Sequence, residues 1–195
     1  MVFDVRFFPG FPLPVHDYAE LMVELTRYEG PAQRVVIAHS RGALEALFFK
    51  PGEDVSMVLL APSTLDKPRR GRVLVRGCLR GLSWLPVAGE AIARLLREHA
   101  YKRYAAQPPA GAPLSLGAAA DRLHTTAPKI PRAYRGPCTV VCSPEDSRHP
   151  AQLRLAEELG ATVRWVEGGH LFPVTRGRAT AEIILEALGG LDHPG

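Results

Sequence analysis

The chain has 195 residues, 46% of them hydrophobic, which is enough apolar material for one domain with a real core and excludes global disorder. Its 24 basic and 20 acidic residues leave a formal charge of +4, too small an excess to imply a nucleic-acid partner. No stretch approaches the roughly 18 uninterrupted apolar residues that a membrane-spanning helix needs.

The first segment, Val2 to Phe8, is rich in β-branched and aromatic residues and ends at Pro9-Gly10, which predicts a strand entering a turn. From His16 to Tyr28 the apolar residues Tyr18, Leu21, Met22 and Leu25 recur at helical spacing, and Gly30-Pro31 ends the helix. Arg34 to Ala38 is a short continuous apolar run, the pattern of a strand buried on both faces of a parallel sheet. A helix over Gly42 to Phe49 closes at Pro51-Gly52, and Val55 to Ala61 predicts a third strand.

The stretch from Ser63 to Gly136 is different in kind. A basic segment holding Lys67, Arg69, Arg70, Arg72, Arg76 and Arg80 reads as a solvated surface on a loop and helix rather than an anion or membrane-surface patch, since no aromatic residues are interleaved as a single-strand groove would need. A helix over Ala88 to Tyr104, a Pro/Ala/Gly-rich connector from Pro108 to Pro113 and a helix over Leu116 to Thr125 follow, so this stretch predicts a helical insertion. Beyond it come a strand over Cys138 to Cys142, a helix over Ala151 to Leu159 ending at Gly160, a strand over Thr162 to Val166, and a closing helix from Thr180 to Leu188 capped by Gly189-Gly190. Cys138 and Cys142 read as small apolar fillers of a buried strand, and with Cys78 they make an odd set with no metal spacing, which points to a reducing compartment. With no basic leader followed by a long apolar run at Met1 to Phe11, a cytoplasmic location is expected.

Strands alternating with helices predict an α/β fold, a mostly parallel sheet flanked by helices, whose ligand sites lie outside the carboxyl ends of the strands. Three strand ends carry chemistry. After the second strand comes Ala38-His39-Ser40-Arg41-Gly42, which either exposes a serine hydroxyl on a sharp strand-to-helix turn or caps the helix with that serine. After the fourth comes Ser143-Pro144-Glu145-Asp146, an acid loop or an ordinary acidic turn. After the fifth comes Glu167-Gly168-Gly169-His170, where two glycines either let the chain fold back and bring an imidazole to a neighbouring strand end or simply carry a surface histidine in a glycine loop.

The pentapeptide resembles the G-x-S-x-G nucleophile elbow of the α/β-hydrolase fold, with alanine in place of the first glycine. The order serine, acid, histidine along the chain is the order of that fold. The resemblance spans about Val5 to Leu188 and is tight at the three loops. It implies Ser40 as nucleophile, His170 as general base, Asp146 orienting the histidine with Glu145 as fallback, and the Arg41 N–H as an oxyanion donor. It also implies no metal or organic cofactor, and it sets the chain apart from dehalogenases and epoxide hydrolases, which use an aspartate as nucleophile. The expected reaction is hydrolysis of a small or medium carboxylic ester or thioester through an acyl-enzyme. An acyltransferase with the same triad, and a non-catalytic module that binds a ligand or a partner, are the alternatives.

Only one strand and one helix precede Ser40, fewer than the family has, so a reduced strand number and an N-terminally shortened domain are expected. The segment Phe7 to Pro14 is either the loop just upstream of the elbow helix or the oxyanion loop itself, with Gly10 and Phe11 giving the second N–H. A shortened sheet would expose an edge that a second copy of the chain, in a homodimer, could cover. The insertion at about 63–136 occupies the place of the family's cap. Its Leu79, Leu82, Trp84, Leu85, Ile92, Leu95 and Leu96 are expected to pack the cap on the core, or else to line an acyl pocket.

Overall fold

The computed structural model describes residues 3–49, 51–63, 71–104, 106–122 and 134–189. The chain divides into two compact units, one of Met1–Gly10, Tyr18–Thr64 and Ile130–Gly195, the other of Phe11–Asp17 and Leu65–Lys129.

The first unit is built on a five-stranded sheet in chain order: β1 (Phe3–Phe8), β2 (Gln33–His39), β3 (Val55–Leu60), β4 (Cys138–Cys142) and β5 (Thr162–Trp165). All four pairings are parallel. Parallel neighbours need crossovers, and helices supply them: α1 (Ala19–Leu25), α2 (Gly42–Phe49) and α6 (His149–Leu159), with α7 (Phe172–Thr175) and α8 (Gly177–Ala187) closing the chain. The α/β architecture with a mostly parallel sheet is therefore as the sequence predicts.

The continuous apolar runs of β2, β3 and β4 follow from burial on both faces. Val36, Ala38, Met57, Leu59, Val140 and Cys142 join Ala43, Ala46 and Leu47 of α2 and Leu155, Ala156 and Leu159 of α6 in one apolar layer. The alternate residues Val35, Ile37, Val58, Leu60 and Val141 point to the opposite face and are equally buried. Truncating a side chain such as Leu59 to alanine in such a layer costs about 2–5 kcal/mol. The two edge strands differ: β5 is mostly exposed, and the described residues of β1 alternate between exposed and half-buried up to Phe7, with Phe8 half-buried too.

Element ends differ from the sequence reading where local geometry intervenes. The first helix is shorter than His16 to Tyr28: a 3₁₀ turn over Val15–Tyr18 precedes α1, and Thr26 closes it. α6 starts two residues early, at His149, with Pro150 in its first turn, where a missing N–H costs nothing. It ends as expected at Gly160, whose φ of +61° is the left-handed value glycine accepts freely. Val2, Gly190 and Leu123 to Thr125, parts of predicted elements, lie outside the described residues.

The second unit contains α3 (Gly71–Leu82), α4 (Pro86–Arg103) and α5 (Leu116–Arg122). α3 is the helix of the basic stretch, whose bounds the sequence left open: Gly77, Gly81 and a run of arginines blur the pattern of a helix that packs on α5. Leu79, Ala93, Leu116 and Ala120 form its core, with Phe11, Leu82, Ile92 and Leu96 against them. Trp84, Leu85 and Leu95 are exposed, so the expectation that the whole apolar set is packed fails for these three. The basic run is only in part the solvated surface expected. Arg80 is exposed and pairs with Asp121 at 2.5 Å, whereas the Arg76 Nε is buried with no hydrogen-bond partner among the described residues. Lys67, Arg69 and Arg70 lie outside them.

A buried ion pair ties the unit together. Arg97 Nε donates to Asp17 Oδ2 at 3.0 Å, and its terminal nitrogens donate to the Asp17 carboxylate, to Gly111 O at 3.0 Å and to Pro109 O at 2.9 Å. The Tyr101 hydroxyl donates to Asp17 Oδ2 at 2.8 Å. Both charged side chains are almost wholly out of water. Removing one partner leaves the other charge buried and unpaired. Arg97→Leu should therefore destabilise the protein by about 3–5 kcal/mol, with the double variant Asp17→Leu/Arg97→Leu recovering much of that loss; urea unfolding midpoints check both.

Candidate active site

The turn at Ser40 is set by backbone constraints. Ser40 has a φ of +50°, a left-handed conformation that costs a non-glycine residue about 1–3 kcal/mol unless its surroundings hold it there. They do: its N–H donates to Leu60 O at 2.9 Å, and its carbonyl accepts from Ser63 N–H at 2.8 Å and Ala43 N–H at 3.2 Å. Two residues on, a Cβ at Gly42 would lie 2.2 Å from the Phe8 carbonyl oxygen, so only glycine fits there. This decides between the two readings of the serine. A helix N-cap has extended backbone and a side-chain oxygen turned onto the first helical N–H groups, whereas Ser40 Oγ faces His170 Nε2 at 2.8 Å and Ser63 Oγ at 3.3 Å.

Asp146 and His170 meet Ser40 from two other strand ends. His170 Nδ1 lies 2.6 Å from Asp146 Oδ2. The carboxylate also accepts from Arg148 N–H on Oδ1 at 3.0 Å and from Gln152 Nε2 on Oδ2 at 2.8 Å. Burial pushes the Asp146 pKa up, but the His170 hydrogen bond and charge, with the Arg148 and Gln152 donors, outweigh it and hold the pKa below its ordinary value. An ionised Asp146 accepts the proton on Nδ1, leaving Nε2 as an acceptor for the Ser40 hydroxyl. The three side chains are 7%, 2% and 3% exposed in the order Ser40, Asp146, His170, so water competes little for these bonds.

The histidine loop needs its glycines. Gly168 and Gly169 have φ of +115° and +65°, and their N–H groups donate to Glu145 Oε2 at 3.1 Å and Ser143 Oγ at 3.0 Å. Glu145, the fallback acid, thus ties down the histidine loop, and it is Asp146 that contacts the imidazole. Arg41 follows Ser40 at the N-terminal end of α2, the positive end of the helix dipole.

β1 pairs directly with β2, with Phe8 opposite Ala38, so the segment after β1 lies next to the elbow strand. Gly10, named as an oxyanion donor, is not available for that role: its N–H donates to the Tyr18 hydroxyl at 2.8 Å. The tyrosine competes for the N–H because β1 and the turn before α1 bring it there. Phe11, the other candidate, falls in the second unit.

Ser63 and Gln152 carry no local pattern that marks them for the site; Tyr18 reads from sequence only as a helix-face residue and His39 only as a member of the elbow pentapeptide. Ala61 is also strained, with a φ of +41°. Cys138 and Cys142 are buried, and burial raises their thiol pKa values to about 12 and about 11, so neither forms a nucleophilic thiolate near neutral pH. Among the described residues, no group of three or more His, Cys, Asp or Glu could hold a metal ion, and no helix is long and apolar enough to cross a membrane.

His39 is buried, and burial together with the nearby His170 pushes its pKa down to about 3. The folded protein therefore keeps it neutral down to about pH 3, while the unfolded chain protonates it near 6.5. Between those values the unfolded state binds more protons, so stability rises with pH across the window. Wild type should lose up to about 1.4 kcal/mol per pH unit on acidification from about 6.5 to about 3, relative to His39→Gln, as read from urea unfolding at a series of pH values.

A model of the alpha/beta hydrolase family matches residues 2–183. Among solved structures, a thermophilic esterase from Thermogutta terrifontis superposes with a TM-score of 0.71 at 16% identity, over 97% of this chain and 90% of that one. The enol-lactonase from Burkholderia xenovorans LB400 superposes at 0.63 and 14% identity, over 96% and 91% of the two chains. The thioesterase domain from the curacin biosynthetic pathway superposes at 0.58 and 14% identity, over 94% and 90%. No curated protein matches the sequence. At these identities the superpositions speak for the fold, and the family model covers nearly the whole chain: it belongs to the alpha/beta hydrolase family.

Proposed function

We propose that the protein is a serine hydrolase that cleaves a small or medium carboxylic ester or thioester through an acyl-enzyme. The observation that carries this reading is the unbroken line from Ser40 Oγ to His170 Nε2 at 2.8 Å and from His170 Nδ1 to Asp146 Oδ2 at 2.6 Å. In this mechanism His170 takes the Ser40 proton as Oγ attacks the substrate carbonyl carbon. Asp146 stabilises the imidazolium that forms, and His170 then returns the proton to the departing alcohol or thiol. Water, deprotonated by the same imidazole, attacks the acyl-enzyme and releases the acid, regenerating Ser40.

The oxyanion that forms in each half-reaction needs a backbone donor, and Arg41 N–H, next to the nucleophile, is assigned that role. Gly10 N–H is committed to Tyr18 and is left out of this role. Losing one such donor typically costs about 3 kcal/mol of transition-state stabilisation. The names of the superposed proteins, an esterase, an enol-lactonase and a thioesterase, agree with the reading. A homodimer remains the proposed way to cover the β1 edge.

Ser40→Ala should abolish hydrolysis of p-nitrophenyl acetate and butyrate while leaving the circular dichroism spectrum and Tm close to wild type; wild-type turnover in this variant would end the assignment. Asp146→Asn should lower kcat by about 10⁴-fold, because an amide no longer favours the Nδ1–H tautomer. A fluorophosphonate probe should label wild type at Ser40, as peptide mapping checks; an intact, folded sample that is not labelled would favour a binding module over an enzyme.

A further inference from the structure

Two side chains beside the site take no part in the steps above. Tyr18 and His39 are 0% and 1% exposed, and His39 is the second residue of the elbow pentapeptide. Tyr18 Oη accepts from Gly10 N–H at 2.8 Å and lies 2.7 Å from His39 Nδ1. His39 Nε2 lies 2.9 Å from the carbonyl oxygen of His170. We propose that Tyr18 and His39 are positioning residues of the hydrolase: a buried relay from Gly10 through both rings to the His170 main chain, which holds the base at its working distance from Ser40. The inference rests on reading Ser40 and His170 as nucleophile and base.

The direction of every bond in the relay is determined. An amide N–H only donates, so Tyr18 Oη accepts from Gly10; the His170 carbonyl only accepts, so the neutral His39 ring carries its proton on Nε2 and its bare Nδ1 accepts from the Tyr18 hydroxyl. One tautomer of one neutral imidazole satisfies the whole line. Burial and the proximity of His170 keep the ring in that neutral form, with a pKa of about 3.

The end point distinguishes this relay from ordinary core hydrogen bonding. The accepting carbonyl belongs to His170 itself, so the bond fixes the peptide plane next to the Cα from which the imidazole projects. The Asp146 bond orients the ring about its own axis; the His39 bond anchors the backbone that carries it. Packing holds the relay laterally, with ring centroids 4.8 Å apart for Phe7 and Tyr18, 5.6 Å for Tyr18 and His39 and 5.3 Å for His39 and His170. Gly10 is part of the device too, since a Cβ there would lie 2.6 Å from His39 Nδ1 and force the line open. His39 also leaves the strand on the residue before Ser40, so the same backbone places the nucleophile and the anchor of its base.

The test uses the full chain with Tyr18→Phe, His39→Leu and His39→Gln. Measured are kcat and KM on p-nitrophenyl butyrate, the second-order rate of fluorophosphonate labelling at Ser40, and Tm, with assays run well below each variant's Tm. Tyr18→Phe and His39→Leu should lower kcat and the labelling rate together by about tenfold or more, with KM changed by less than about twofold. His39→Gln, whose amide Nε2 is the same number of bonds from Cα as the imidazole Nε2, should recover most of that loss. Unchanged kcat and labelling in Tyr18→Phe and His39→Leu, with only Tm lowered, would show a purely structural role and overturn the inference. If His39→Leu does not fold, Tyr18→Phe, which removes one oxygen, decides alone. Absence of labelling in wild type would instead overturn the triad reading, a result distinct from failure of the relay.

Discussion

The hydrogen bond between Ser40 and His170 joins residues 130 positions apart, and the arrangement of the sheet unit around the site can be understood as what keeps that one contact short. A hydroxyl is a poor nucleophile, and an imidazole helps it only within hydrogen-bond reach. Reach of that kind cannot be left to flexible loops. Ser40 is held in a left-handed conformation by Leu60 O, Ser63 N–H and Ala43 N–H, and Gly42 lets the helix start against the Phe8 carbonyl. The strain at Ser40 is sustained by bonds that come from three places at once: β3, the segment after it and α2.

The histidine is supported in a complementary way. Asp146 meets the ring, Glu145 and Ser143 meet the two glycine N–H groups before it, and His39 meets its carbonyl. Ser143, Glu145 and Asp146 lie within four residues of one another after β4, so a single strand end supplies most of the support for the histidine. Parallel order explains why this is economical: strands running the same way deliver their carboxyl ends, and the loops after them, to one edge of the sheet. Gln152, one turn into α6, adds its amide to Asp146 and couples that helix to the same network.

The helical unit follows a different principle. Its apolar core is small, and its segments are joined by the Asp17–Arg97–Tyr101 cluster, in which a guanidinium also satisfies two carbonyls of the Pro/Ala/Gly-rich connector. A connector with few side chains to bury can be held by its backbone carbonyls, and a planar cation with five donors suits that task. Exposed Trp84, Leu85 and Leu95 show that apolar content alone does not define the packed face of these helices.

The sequence by itself determined the sheet and the positions of the three site loops. Double-faced burial forces continuous apolar runs such as Arg34 to Ala38 and Cys138 to Cys142, and the residues after such runs are the ones a parallel sheet exposes at its ligand edge. The bounds of α3 escaped because its glycines and arginines blur the helical pattern locally. What only the tertiary structure decided were the contacts between distant residues: Glu145 turned to the glycines and Asp146 to the imidazole, Gly10 committed to Tyr18, Arg97 paired with Asp17, and His39 facing the His170 carbonyl. Each depends on which donor and acceptor the packed chain brings within about 3 Å. Periodicity and spacing report which face a residue occupies; they do not report which polar atom it meets there.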